Sequence, residues 1–310
     1  MSTSAVRALT PGIYAPVPTF FLPDNEDLGK IYLLLVFSIF DPNTFCADLE
    51  TLKKHVVGIA KADVGILVCG TMGEAHHLSP EERVAVIKAT REALDGAGFP
   101  SLPIIAGTGV GSTRETIART KEAADAGADY AIVIPSGYFA GVLGPDRKAL
   151  KRFFGDVSET SPIPVMVYNC EYLLVPRICN PFPIDRFGVL CADPGATGGI
   201  NMDSDLIEEM ALEFPNLCGV KLTCGEVGKL TRIAATVAEP SFDKQHSRKN
   251  PNAPYVLFLK LYHSMHSAFP TSRYLVLGGL ADTILSAYYV GGHGAITGLA
   301  NLAPVGPSRE

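Results

Sequence analysis

Short apolar runs alternate with amphipathic stretches along most of the chain. Continuous apolar runs at 64–69 (VGILVC), 103–106 (PIIA), 130–134 (YAIVI), 164–168 (PVMVY), 218–222 (CGVKL), 274–277 (YLVL) and 294–296 predict buried strands, and 13–17 adds one at the front. Helical spacing between them predicts helices over 79–94, 112–126, 146–161, 203–214, 226–237 and 281–290. The run Ser79-Pro80-Glu81-Glu82 is a capping box with proline in the first turn, and Ser112 stands at the N-cap of the following helix. Strands that are apolar throughout, most of them followed by a helix, imply a parallel sheet covered on its outer face. Eight such units in 310 residues predict an α/β fold, a closed (β/α)8 barrel in a single domain, rather than an open doubly wound sheet.

Composition narrows the function classes. Hydrophobic residues are 47% and charged residues 19%, which is ample for a packed core. The net charge of −6 offers no basic face, so nucleic acid is not an expected partner. The longest apolar run, 31–40, is half of the ~20 residues that a spanning helix needs, so no membrane is expected. No apolar stretch follows the single Arg of the first twelve residues, so a secretory signal is not evident and a cytoplasmic location is expected, with a mitochondrial one as the alternative. The seven cysteines are scattered with no CxxC pair, which argues for reduced thiols and against a zinc cluster.

Barrel sites lie where strands end. The second strand ends in Gly70-Thr71-Met72-Gly73-Glu74, where glycines allow close backbone approach and turned N–H groups with a hydroxyl suit a carboxylate; a plain tight turn reads the same way. Lys221 sits inside an apolar strand. Burial would keep its amine neutral and nucleophilic, whereas a lysine reaching solvent would be unremarkable chemically. Tyr168 ends the fifth strand and Tyr138 lies in the glycine-rich loop after the fourth, each a phenol able to move a proton or simply to pack. Gly107-Thr108-Gly109-Val110-Gly111 is followed by Ser112 and lacks the dinucleotide fingerprint. Neither HxH nor HExxH occurs, so a metal is not expected.

Taken in order, IYAPVPTFF, GTMGE, HLSPEER, IIAGTG, VMVYN, GVKLT, LGG and GAITGLAN resemble the dihydrodipicolinate synthase / N-acetylneuraminate lyase family of pyruvate-dependent Schiff-base aldolases. The resemblance implies that Lys221 forms the imine with a 2-oxo acid and that Tyr168 shuttles protons beside it. It further implies that Thr71 links Tyr168 to Tyr138, which in the family reaches across a dimer interface. Gly70, Met72, Gly73 and Glu74 match the carboxylate-holding turn, and Gly279 and Ile296 match positions near the substrate. Met72 stands where a hydroxyl or amide is usual. No cofactor and no metal are implied; the partners are a small 2-oxo acid, an aldehyde and further copies of the chain in a homodimer or homotetramer. In the lysine-biosynthetic synthase an arginine follows the tyrosine, and here Pro194-Gly195-Ala196-Thr197-Gly198 places Ala196 there. A small apolar side chain makes no charge-assisted contact, although Arg177 or Arg186 offers a cation elsewhere. The expected activity is therefore cleavage of a 4-hydroxy-2-oxo acid or a 2-keto-3-deoxy sugar acid, with dihydrodipicolinate synthesis and a non-catalytic member as the alternatives.

Three segments interrupt the family pattern: 28–40, 170–193 and 255–273. Without them the flanking sequence reads continuously, as expected of retained introns or of inserted loops. The sequence up to Glu310 shows no eighth helix and none of the C-terminal helices usual in the family.

Overall fold

The computed structural model describes residues 7–21, 48–170, 199–242 and 274–304. Eight strands, β1 (Gly12–Pro16), β2 (Gly65–Val68), β3 (Ile104–Gly107), β4 (Tyr130–Val133), β5 (Val165–Asn169), β6 (Leu217–Leu222), β7 (Leu275–Gly278) and β8 (Gly294–Ile296), form a closed barrel in chain order. All neighbours are parallel, and β8 returns to β1 through Gly12↔Gly294. That closure needs a glycine: Gly294 has φ +135°, and a Cβ on it would stand 1.9 Å from the Gly12 carbonyl oxygen.

Helices α1 (Leu49–Lys61), α2 (Pro80–Gly96), α3 (Thr113–Asp125), α4 (Ala140–Leu143), α5 (Arg147–Thr160), α6 (Ser204–Glu213), α7 (Val227–Ala238) and α8 (Ile284–Tyr289) cover the outside. The capping box at α2 is formed in both directions: Glu82 N–H donates to Ser79 Oγ at 3.2 Å, and Ser79 N–H donates to the Glu82 carboxylate at 2.7 Å. Ser112 caps α3 through Glu115 N–H. Three helices differ from the sequence expectation, one of them the single turn α4, which falls between predicted elements. Helix α1, capped by Asp48 through Thr51 N–H, is absent from the predicted set. The stretch 281–290 divides into a 3-10 turn, Ala281–Thr283, and α8, because Leu280 at its entry offers no capping side chain and tighter i→i+3 bonds take up the first donors.

Strand alternation separates two kinds of core. Val165, Val167, Val220 and Leu222 face the helices, while Met166 and Tyr168 face the barrel interior with Tyr14, Leu67, Ile105, Tyr130, Ile132, Leu275, Leu277 and Ile296. Lys221, between Val220 and Leu222, therefore points inward. The N-terminal pole is closed by residues 7–10. Leu9 is buried there, Tyr14 Oη donates to the Thr10 carbonyl at 2.6 Å, and Tyr130 Oη donates to the Arg7 carbonyl at 2.9 Å. The open end is the one where the strands finish.

The expected insertions 28–40 and 255–273 lie outside the described residues, as does 170–193 apart from Cys170. The described chain on either side of each gap nonetheless meets. Asp48 N–H donates to the Phe20 carbonyl at 2.7 Å, Cys170 bridges to Ile200, and the Phe242 and Tyr274 rings pack edge to face at 6.1 Å. Barrel closure is thus complete among residues outside the insertions. Deletion of 28–40 or of 255–273 is expected to leave cooperative melting in place with a change of about 1 kcal/mol or less, checked by thermal circular dichroism; loss of the transition would show that the segment belongs to the core.

His293, at the entry to β8, is buried, and its Nδ1 accepts Val276 N–H at 3.0 Å while Nε2 has no partner. Burial pushes its pKa down to about 4 from 6.5. Between those values the unfolded chain binds the extra proton, so stability is full above about pH 6.5 and falls as pH drops toward 4. From pH 7 to pH 4.5 this group should remove about 2 kcal/mol. In urea titrations, His293→Asn should flatten that part of the pH dependence.

Candidate active site

The centre of the open end is the Lys221–Tyr168 pair. The two residues are register partners across β5 and β6, and Leu277 of β7 is the next partner along. Lys221 is 8% exposed, and its Nζ lies 4.2 Å from the centroid of the Tyr168 ring. An aromatic face favours the ammonium form modestly. Desolvation acts the other way and is larger, so the amine is pushed down to about 8. A lysine in this state is a substantial fraction neutral near physiological pH, as a nucleophilic amine must be.

Cys170 is the neighbour that the sequence reading missed. It lies two residues beyond Tyr168 on the same face of the chain, is 1% exposed, and its thiol is hydrogen-bonded to the Tyr168 side chain. Burial raises its pKa; the Tyr168 hydrogen bond and the Lys221 charge act against that rise. Nothing in a lone Cys after YN signalled this contact, because only the barrel curvature aims it at the phenol.

The other expected residues fall at the same end. Gly70, Thr71, Met72, Gly73 and Glu74 form the turn after β2. The N–H groups of Thr71, Met72 and Gly73 donate to no acceptor among the described residues, which leaves three adjacent donors at the turn. Thr71 is exposed, whereas Gly73 is buried and its carbonyl accepts from Thr19 Oγ1 at 2.6 Å. The Met72 thioether rests on the loop after β8, so close that a Cβ on Gly298 would meet Sδ at 2.8 Å. Glu74 adopts φ +50°, and its carboxylate pairs with the His77 ring at 3.0 Å, the placement of a turn-former. Ile296 is fully buried in the interior cluster that contains Tyr168. Gly279 follows β7 and presses on Thr223, whose hydroxyl is buried without a protein partner; a Cβ on Gly279 would lie 2.3 Å from that oxygen. Tyr138 is 85% exposed on a 3-10 turn and packs on Phe139, so within one chain it does not enter the Lys221 pocket. Ala196, Arg177 and Arg186 lie outside the described residues.

A polar network backs the end of β5. Asn169, beside Tyr168, accepts Met202 N–H at 2.7 Å and donates to Asn201 Oδ1 at 3.1 Å, and the buried Lys229 of α7 donates to the same oxygen. Glu226 takes Asn201 and Lys229 at 3.3 and 3.4 Å. In the sequence Lys229 looks like an ordinary helix-surface lysine; packing of α7 against the loop at 201 buries it.

A parallel barrel with a desolvated lysine beside a phenol at the strand ends is the class that the fold and site define. Comparison with known proteins gives the family. The sequence pattern of the Dihydrodipicolinate synthetase family matches residues 46–178. An L-threo-3-deoxy-hexylosonate aldolase of Aspergillus niger is 37% identical over 96% of this chain and 72% of its own length. A relative in Emericella nidulans, 36% identical over 97% of this chain and 72% of its own, carries a name of mitochondrial 4-hydroxy-2-oxoglutarate aldolase. A solved dihydrodipicolinate synthase family protein from Coccidioides immitis is 31% identical over 96% of this chain and 70% of that one, with a TM-score of 0.63. The chain belongs to the dihydrodipicolinate synthase family. Among the described residues no helix is long and apolar enough to cross a membrane.

Because the amine is released from its proton near pH 8, imine formation with a 2-oxo acid should accelerate about tenfold per pH unit below that value and level off above it. Stopped-flow trapping across pH 6–10 measures this. Replacing Tyr168 by Phe should lower turnover by about 10²-fold or more while leaving that inflection near its place.

Proposed function

We propose that this protein is a Schiff-base aldolase that cleaves a 2-keto-3-deoxy sugar acid, or a related 4-hydroxy-2-oxo acid, to pyruvate and an aldehyde. The observation that carries the proposal is the inward-facing Lys221 amine, lowered by burial and seated against Tyr168. The names of the relatives support it: one is an L-threo-3-deoxy-hexylosonate aldolase, and another is named for 4-hydroxy-2-oxoglutarate, a compound with the required ketone at C2 and hydroxyl at C4.

The neutral Lys221 amine adds to C2, and Tyr168 donates the proton with which the carbinolamine hydroxyl leaves as water, giving an iminium and a phenolate. The phenolate takes the proton of the C4 hydroxyl as the C3–C4 bond breaks, and the bonding pair flows to the iminium nitrogen, giving an enamine and a free aldehyde. Protonation at C3 regenerates the imine, and water releases pyruvate and the amine. Thr71, Met72 and Gly73 N–H groups hold the substrate carboxylate, with Gly70 allowing the approach; Ile296 and Gly279 supply wall and backbone. The proton relay through Thr71 to Tyr138 requires a second copy of the chain, and the exposure of Tyr138, Phe139 and Val142 on one short stretch supports such a contact.

Borohydride with pyruvate should add one reduced pyruvyl group irreversibly, and Lys221→Ala should abolish it. Pyruvate release should be found with 2-keto-3-deoxyhexonates or 4-hydroxy-2-oxoglutarate. Condensation of pyruvate with aspartate semialdehyde as the sole activity would make the chain a synthase instead. A folded protein that forms no pyruvate adduct would be non-catalytic.

A further inference from the structure

Arg83, on the first turns of α2, is 6% exposed, yet no carboxylate lies within 4.0 Å of its nitrogens among the described residues. Its guanidinium is spent on two backbone carbonyls: Nη1 donates to Ala75 at 2.9 Å and Nη2 to Gly107 at 2.5 Å. After the Cys69 thiol, the acids that act on it most are Glu122 and Glu115, which pair with Arg119 at 3.0 and 2.6 Å. A buried cation is costly without a counter-charge, so its placement against this turn calls for a reason.

The two carbonyls identify what Arg83 holds. Ala75 closes the turn after β2, since its N–H donates back to the Gly70 carbonyl at 3.3 Å and Glu74 N–H donates to Thr71 at 3.1 Å. Gly107 ends β3 and abuts that turn, with a Cβ on it only 2.1 Å from the Cys69 carbonyl oxygen. The turn is strained at both ends: Cys69 has φ +53° and Glu74 φ +50°, a left-handed region that non-glycine residues occupy only at a cost. Such a shape persists only where its surroundings over-determine it. Thr19 grips it at Gly73 and Arg83 grips it at Ala75. Its product is the row of three donors at Thr71, Met72 and Gly73 that are unpaired among the described residues. Met72 brings no side-chain donor, so more of the work falls on the backbone row.

We propose that Arg83 is a positioning residue for the carboxylate of the 2-oxo acid: it holds the turn in its donor-presenting form and brings to that turn a positive charge with no ion-pair partner among the described residues. This deepens the aldolase reading and rests on it.

The test is the concentration dependence of borohydride trapping at Lys221, read by intact mass, with pyruvate and with its uncharged amide. In Arg83→Met the half-saturating pyruvate concentration should rise about tenfold, the size of one charge-assisted contact, while that for pyruvamide changes about twofold or less and the saturated trapping rate is kept. Arg83→Lys retains the charge but not both carbonyl contacts, and should weaken pyruvate selectively by a smaller factor; it decides the matter if the Met variant does not fold. Equal weakening of pyruvate and pyruvamide, or no weakening of either, overturns the proposal alone. No adduct in the wild-type chain overturns the aldolase reading and this inference with it.

Discussion

Desolvation of one amine organises this molecule. An ammonium taken into a barrel interior loses hydration that a nearby aromatic face only partly replaces, so its proton is held loosely. Strand alternation turns Lys221 inward between two helix-facing residues, and the parallel register sets it level with Tyr168. The pole beneath is sealed by Leu9, Tyr14 and Tyr130, which keeps the pocket open at one end only among the described residues. The lowered proton affinity of this amine is a consequence of architecture.

The surroundings of that amine carry polar groups that would be liabilities elsewhere. Cys170, Asn169, Asn201, Lys229 and Arg83 are polar residues placed against strand ends on the reactive side. The buried ones are bonded to backbone, to the Tyr168 side chain or to another member, which is the condition under which buried polar groups rigidify a structure. The outer core, by contrast, is almost wholly aliphatic along β5 and β6. Rigid packing outside and directed hydrogen bonds at the mouth divide the labour between stability and chemistry.

Interruptions of the chain fit this division. Phe20 with Asp48, Cys170 with Ile200 and Phe242 with Tyr274 join across all three gaps, so the barrel ladder does not pass through the intervening segments. Connections between barrel elements tolerate extra length because closure entropy grows only slowly with it. Two of these junctions are at the reactive end, after β1 and β5, where added chain bears on access rather than on folding.

Much of the architecture is a local property. Apolar runs, the Ser79 and Ser112 caps and the helical spacing depend on residues within a turn or two of one another, and they specify the order and nearly the limits of the elements. Position 221 stood out for a similar reason, since a cation inside an apolar strand conflicts with its neighbours. Tertiary structure decided what depends on distant partners: that α1 completes the ring, that 281–290 divides, and that Tyr138 is left outside the pocket of its own chain. It also decided that Cys170 meets a phenol, and that Arg83 and Lys229 are buried rather than solvated. Periodicity reports which face of an element is apolar, but a long polar side chain is buried or exposed by the segments that fold over it, and those lie far away in the sequence.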